Sequence, residues 1–283
     1  MELWFSEYHT PDVKYSIRVN RHLYSHQSEY QQIDIYDTPE FGRALVLDGN
    51  VMLTERDEFI YDEMITHVPM AAHPGIRDVL VIGAGDGGVV KELTRYTSIQ
   101  RIDLVEMDYQ VVEACRLYLP ENASKLDDER VHIYFDNALR FIRRCKDAYD
   151  LIIVDSMDPF GPSEGHFTRE FYGICYNALH DDGILVNQQG SPFYKHDADE
   201  IQRSHKRIVS TFPISPVYQA HIPTYAAGYW LFGFASKKYH PIDNVHLKQW
   251  KDLKLETRYY TPRLHIGSFF LPAFLENMLK EVE

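Results

Sequence analysis

The residues of this 283-residue chain that could do chemistry stand at the ends of apolar runs. Asp150-Leu-Ile-Ile-Val154 leads into Asp155-Ser-Met-Asp158-Pro-Phe-Gly-Pro162. The two carboxylates lie three residues apart on a loop stiffened by two prolines, a pattern suited to holding a cation or accepting a proton. Capping a helix is the plain alternative for either, but Pro159 and Gly161 delay any helix until about Thr168. Upstream, Arg77-Asp-Val-Leu-Val-Ile82 runs into Gly83-Ala-Gly-Asp-Gly-Gly88. Glycines between a strand and a helix let the backbone approach a ligand closely. Asp86 sits inside that loop, where a carboxylate would repel a pyrophosphate and attract an ammonium.

Two further polar groups follow at strand ends. Glu106 comes about 20 residues after the glycine loop, where an acid accepts hydrogen bonds from a ribose hydroxyl in nucleotide-binding α/β folds. Asn137 ends the next strand, and its amide can both donate to and accept from an adenine edge. Singly, Asp86 reads equally well as a turn cap, Glu106 as a surface acid and Asn137 as a helix cap. Together, at successive strand ends, they fit an adenosine without a pyrophosphate, which points to an S-adenosyl sulfonium.

These groups need a parallel sheet to hold them. Arg77–Ile82, Arg101–Glu106, Val131–Phe135, Asp150–Val154 and Gly183–Asn187 read as strands. Helices are expected from Val89, over Tyr109–Leu119, over Ala138–Cys145 and near Phe171–Leu179. Asp150–Val154 lacks polar alternation and so must be buried on both faces. Strands alternating with helices predict an α/β domain with a doubly wound, mostly parallel sheet over residues 56–283. Pro216–Ile222 and Tyr229–Ala235 read as a closing antiparallel hairpin. Residues 1–55 read as a small N-terminal antiparallel β domain: Tyr15–Val19, Gln32–Tyr36 and Arg43–Leu47 are β-rich, with turn signals at Thr38-Pro39 and Asp48-Gly49.

Composition narrows the function. Hydrophobic residues make up 45% and charged residues 25% of the chain, ordinary values for a globular protein. The formal net charge of −13 works against nucleic acid as a partner and suits a cationic substrate, although most surplus carboxylates simply keep a surface soluble. No apolar run approaches the roughly 20 residues of a membrane helix. Met1-Glu2-Leu3-Trp4-Phe5 lacks the features of a signal peptide, so no membrane partner and a cytoplasmic location are expected. Cys115, Cys145 and Cys175 lack metal-type spacing, and no metal site is expected.

Several segments in order resemble the polyamine aminopropyltransferases, in particular those that form spermidine. Leu3-Trp4-Phe5-Ser6-Glu7 is similar to the start of that family. Leu47-Asp-Gly49 and Thr54-Glu-Arg-Asp-Glu-Phe-Ile-Tyr61 resemble its gatekeeping segment. Gly83–Gly88, Asp155–Pro162, Ile222-Pro-Thr-Tyr225 and Tyr259-Tyr260 match its other signatures. The resemblance implies a Rossmann-like fold of the S-adenosylmethionine-dependent methyltransferase type. It also implies in-line transfer of an aminopropyl group from decarboxylated S-adenosylmethionine, a co-substrate with no separate cofactor, to putrescine. Spermidine and 5′-methylthioadenosine would be the products, and a homodimer or homotetramer the assembly.

By the same resemblance, Asp155 would accept the amine proton, helped by Tyr61. Gln31 and Glu106 would hold the nucleoside, with Gly83 and Gly85 beneath it, and Asp86 and Asp155 would bind the donor's ammonium. Asp158 would anchor the far ammonium of the diamine. Trp4, Tyr61, Gln188 and Tyr225 would line the channel for its methylenes, since aromatic faces attract cations and cover apolar carbon. Asn137 stands where the family usually has Asp, Ala84 where it has Gly, and Asp62 where it has His or Gln. Asp62 lies by that likeness near the donor's aminopropyl amine. A third acid there would tighten the cationic donor and repel the carboxylate of intact S-adenosylmethionine, or alter the preferred acceptor.

Other readings stay open on the sequence. A methyltransferase using intact S-adenosylmethionine would want a group to pair with the donor carboxylate, the reverse of Asp86 with Asp155. A nicotinamide oxidoreductase is set aside on a reading of the glycine loop as lacking the G-x-G-x-x-G spacing that seats a pyrophosphate. A non-catalytic polyamine-binding protein would keep the pocket without turnover. Cadaverine or 1,3-diaminopropane as acceptor requires adjustment by only about one methylene, worth roughly 1–3 kcal/mol.

Overall fold

The computed structural model describes residues 2–156, 168–225, 227–243 and 245–282. Six strands come first. β1 (Leu3–Thr10) and β2 (Val13–Val19) form a hairpin, and β3 (Arg21–Gln27), β4 (Gln32–Thr38), β5 (Gly42–Leu47) and β6 (Asn50–Thr54) form an antiparallel sheet in that order. The Asp48-Gly49 signal closes β5 onto β6. Asp48 (φ 48°) and Gly49 (φ 80°) both take positive φ, as a two-residue hairpin turn matched to strand twist requires.

After α1 (Glu58–Ala72) the chain alternates between strand and helix. The elements are β7 (Asp78–Gly83), α2 (Gly88–Leu93), β8 (Arg101–Glu106), α3 (Tyr109–Tyr118), β9 (Val131–Phe135), α4 (Ala138–Ile142), β10 (Tyr149–Asp155), α5 (Arg169–Ala178), β11 (Leu179–Gly190) and α6 (Lys195–Val209). β12 (Val217–His221) and β13 (Tyr229–Ser236) precede three short helices, α7 (Leu247–Asp252), α8 (Pro262–Ser268) and α9 (Ala273–Lys280). Seven strands make one sheet in the order β12-β13-β11-β10-β7-β8-β9. It is parallel except that β13 runs antiparallel to both of its neighbours.

The apolar strands dictate this layering. Leu80 and Ile152 face one core with Phe171, Tyr172 and Cys175 of α5, while Val81 and Ile153 face the other with Met64, Ile65 and Val68 of α1. All four strand residues have 0% exposure, so both faces of the sheet are covered. Cutting Ile153 back to Ala would leave a cavity and cost about 2–5 kcal/mol. Side-chain caps start the helices where the sequence supplies them: Asp108 for α3, Asn137 for α4, Thr168 for α5 and Thr261 before Pro262 for α8.

The chain winds outward from β7 in both directions, to β8 and β9 on one side and to β10 and β11 on the other. That reversal is a topological switch point, the crevice where open α/β sheets bind ligands. Gly83 and Asp155 stand side by side there as register partners at the ends of β7 and β10.

Candidate active site

The site grows from the ends of β7, β8 and β10. Gly83 has φ 81°, and a side chain on it would overlap the main chain of Asp155, so only glycine permits this approach. A Cβ on Gly85 would come 2.9 Å from Glu106 Oε2. The loop thus draws the ends of three strands together. Gly83, Gly85 and Gly88 do fall at the G-x-G-x-x-G spacing of dinucleotide loops, so the acids, and not the spacing, argue against a pyrophosphate here.

Four carboxylates share this crevice, and none of them has an ion pair among the described residues. Asp86 Oδ1 accepts from Gly88 N at 2.9 Å. Glu106 Oε1 accepts from Asp108 N at 2.9 Å. Burial, then the charge of Asp86, pushes the Asp155 carboxyl up to about 7. Glu106 is likewise raised to about 7, chiefly by burial. The Asp86 carboxyl is raised by burial and partly restored by its backbone hydrogen bonds. Carboxyls lifted by desolvation and mutual repulsion lose that strain when a cation enters.

Asp62 is the fourth acid. It is 5% exposed, and its carboxyl lies where a Gly88 side chain would stand. Oδ2 has no hydrogen-bond partner among the described residues. Burial first, then Asp86 and Glu58, raises its carboxyl well above the usual range. The nearby cation is Lys91, whose Nζ lies 3.3 Å from Glu58 Oε2. Neither Glu58 nor Lys91 stood out in the sequence. Their pairing joins the first turn of α1 to α2, which a linear motif does not display.

Tyr61 lies one residue before Asp62 on α1, and its hydroxyl donates to Asp155 Oδ1. Burial and the Asp155 charge raise the phenol well above its ordinary value, so it stays protonated. Its ring lies 6.2 Å from that of Tyr225 and 5.2 Å from that of Phe232. Tyr225 donates to Met52 O at 2.6 Å and stands edge-on to Trp230 at 4.6 Å. Gln188 is buried at the end of β11 with Oε1 unpartnered among the described residues, as is Trp230 Nε1. Buried polar atoms normally find partners, so these are groups with hydrogen bonds to give a ligand.

Gln31 joins from the N-terminal sheet. Its Nε2 donates to Asp108 Oδ2 at 3.2 Å, and Asp108 contacts Glu106 through its N–H, which ties the Glu106 side of the site to the β3–β4 turn. Asn137 is occupied as a cap: its Oδ1 accepts from Arg140 N at 3.0 Å, leaving the amide NH₂ for a ligand. Trp4 is placed apart, 53% exposed beside Tyr15, Arg18, Pro39 and Phe41 of the N-terminal unit. No hydrogen bond or ring contact joins it to the other site residues among those described. Asp158 lies outside the described residues.

A doubly wound sheet that gathers four carboxylates at its switch point, with the rings of Tyr61, Tyr225 and Phe232 beside Asp155, forms a site suited to a cationic ligand. Residues 58–248 match the spermine/spermidine synthase domain family, and residues 3–55 match the family described as the spermidine synthase tetramerisation domain. The chain belongs to this family and is an aminopropyltransferase of polyamine biosynthesis. It is 58% identical to the polyamine aminopropyltransferases of Lachnoclostridium phytofermentans and Alkaliphilus oremlandii, over 283 residues and the full length of each. A crystal structure of a spermidine synthase in complex with the transition state analogue AdoDATO superposes with a TM-score of 0.94 at 40% identity, covering 99% of this chain and 95% of that one. The Thermotoga maritima spermidine synthase gives 0.94 at 39% identity, covering 99% and 94%. No helix among the described residues is long and apolar enough to cross a membrane.

Proposed function

We propose that the chain transfers the aminopropyl group of decarboxylated S-adenosylmethionine to putrescine, releasing spermidine and 5′-methylthioadenosine. The observation that carries this reading is the Tyr61–Asp155 hydrogen bond, set between the acids of the glycine loop and the aromatic wall of Tyr225. The attacking amine must be neutral, and at pH 7 an alkyl amine with a pKa near 10.4 gives up roughly 4–5 kcal/mol to become so. Asp155 accepts that proton while Tyr61 fixes its carboxylate in line. The nitrogen lone pair forms the new C–N bond as the C–S⁺ bond breaks, and the bonding pair returns to sulfur as a neutral thioether. The leaving group is already neutral, so the displacement calls for no Lewis acid and no further cofactor.

Asp62, Asp86 and Asp155 surround the donor's ammonium, and Glu106 with Gln31 holds the ribose. Gln188 and Tyr225 receive the diamine. The N-terminal domain builds a homotetramer, and the enzyme works in the cytoplasm on small molecules. The test is incubation with decarboxylated S-adenosylmethionine and an equimolar panel of diamines and longer polyamines, read by mass spectrometry. Methylthioadenosine with spermidine as the main product is the expected result. Another aminopropylated product would change the acceptor, and donor binding without methylthioadenosine would overturn the reading.

A further inference from the structure

Asp57 precedes α1 at the position where an Asp normally caps a helix, but its side chain makes no capping hydrogen bond. It is 4% exposed and places both oxygens elsewhere. Oδ1 accepts from Thr54 Oγ1 at 2.5 Å. Oδ2 accepts from both the N–H and the Oγ1 of Thr224, at 3.0 and 2.7 Å, across 167 residues of sequence. Thr224 is fully buried. A carboxylate bound three times in a buried place makes a stiff joint, because charge-assisted hydrogen bonds are the stronger ones and an unpaired donor left there is costly.

The joint lies between the two aromatic walls of the channel. Tyr61 is four residues after Asp57, one turn up the same helix. Tyr225 follows Thr224 directly, and its hydroxyl is held by Met52 O on β6. The Tyr61–Tyr225 ring separation of 6.2 Å is therefore fixed at one end by Asp57 and at the other by β6. Among the described residues no hydrogen bond joins Asp57 or the Thr224 side chain to β7 or β8. We infer that Asp57 is a positioning residue for the acceptor: it holds Thr224 so that Tyr225 faces Tyr61 at the spacing a diamine chain needs. This rests on the acceptor reading of the channel given above.

Three variants of the full-length protein test it: Asp57→Asn, Thr224→Val and Thr224→Ser. Calorimetry measures putrescine affinity with 5′-methylthioadenosine saturating, and separately methylthioadenosine affinity. Losing a hydrogen bond to a charged group weakens an interaction by roughly 10- to 100-fold. Putrescine affinity should therefore fall at least about 10-fold in Asp57→Asn and Thr224→Val, with methylthioadenosine affinity within about twofold of wild type. Thr224→Ser, which keeps the hydroxyl, should restore putrescine binding. Unchanged putrescine affinity in Thr224→Val, or an equal loss on the nucleoside side, would overturn the inference. Thr224→Val with Thr224→Ser decides the matter if Asp57→Asn does not fold. Failure of the acceptor reading itself would show in the wild-type protein, as absence of putrescine binding and of spermidine, whereas failure of the Asp57 inference shows only in the ratio of variant to wild type.

Discussion

Tyr61 reaches across 94 residues of sequence to donate its phenolic proton to Asp155 Oδ1. One residue comes from the first helix after the N-terminal sheets, the other from the end of the fourth parallel strand, so the pair exists only in the folded chain. The phenol cannot act as a base, because burial and the Asp155 charge hold it protonated. On the proposed reading it aims the carboxylate. Asp155→Asn should therefore lower kcat/KM by roughly 10²–10⁴, the usual contribution of a positioned general base. Tyr61→Phe should cost less, about 10-fold, because the carboxylate survives with its orientation relaxed. Steady-state kinetics with methylthioadenosine release as the readout checks both.

The raised carboxyls make a pH signature. Asp155 and Glu106 titrate near 7 in the free protein, against ordinary values of 3.8 and 4.5. For an acid whose folded value is raised, the native state binds more protons than the unfolded state between those limits. Stability from these groups is thus full below about pH 4 and is lost as pH rises through about 7. Thermal unfolding of the free protein should show this falling component, diminished in Asp155→Asn. A cationic donor favours the ionised carboxylates, so its binding should release protons below pH 7 and tighten as pH rises to about 8. Calorimetry in buffers of different ionisation enthalpy would detect that release.

The strand ends were readable in the sequence because parallel strands buried on both faces are continuous apolar runs that stop at polar residues. Val81-Ile82 stopping at Gly83 and Ile153-Val154 stopping at Asp155 are the two that meet at the switch point. The glycine loop was readable because close backbone approach leaves no room for Cβ. The Asp57–Thr224 joint was not, since nothing local distinguishes an Asp that caps its helix from one that binds a threonine 167 residues away. Burial gives both the same sequence pattern. Strands β1, β3 and β6 were also indistinct, because half-exposed strands such as Arg21–Gln27 carry too many polar residues to show alternation. Trp4 lies in a groove of the N-terminal unit, beside Tyr15, Arg18 and Phe41.

Ala84 stands in the left-handed region at φ 60°, between Gly83 and Gly85 of the glycine loop. A Cβ costs about 1–2 kcal/mol there, and glycine avoids that cost while adding roughly 0.5–1 kcal/mol of unfolded-state entropy. Ala84→Gly should therefore raise stability by about 0.5 kcal/mol with kcat unchanged. Urea unfolding at equilibrium, with an unchanged m-value, measures it.

On the proposed reading, Asp62 should sharpen the distinction between the decarboxylated donor and intact S-adenosylmethionine. Its Oδ2 has no hydrogen-bond partner among the described residues, and burial, then the charges of Asp86 and Glu58, raises its carboxyl well above the usual range. An incoming ammonium favours its ionisation, whereas the carboxylate of intact S-adenosylmethionine would meet three acids in place of two. Asp62→Asn keeps the shape and removes the charge, and Asp62→His tests a larger polar group beside Gly88. Both should weaken the decarboxylated donor about 10-fold, the scale of one partly screened ion pair. Both should also shrink its advantage over intact S-adenosylmethionine by a similar factor. The ranking of diamines should stay as in the wild type, because Asp62 lies over the glycine loop and Tyr225 lies across the channel. Competition kinetics with the two nucleosides, run beside a diamine panel, separates these effects. A changed diamine ranking with an unchanged donor ratio would assign Asp62 to the acceptor instead.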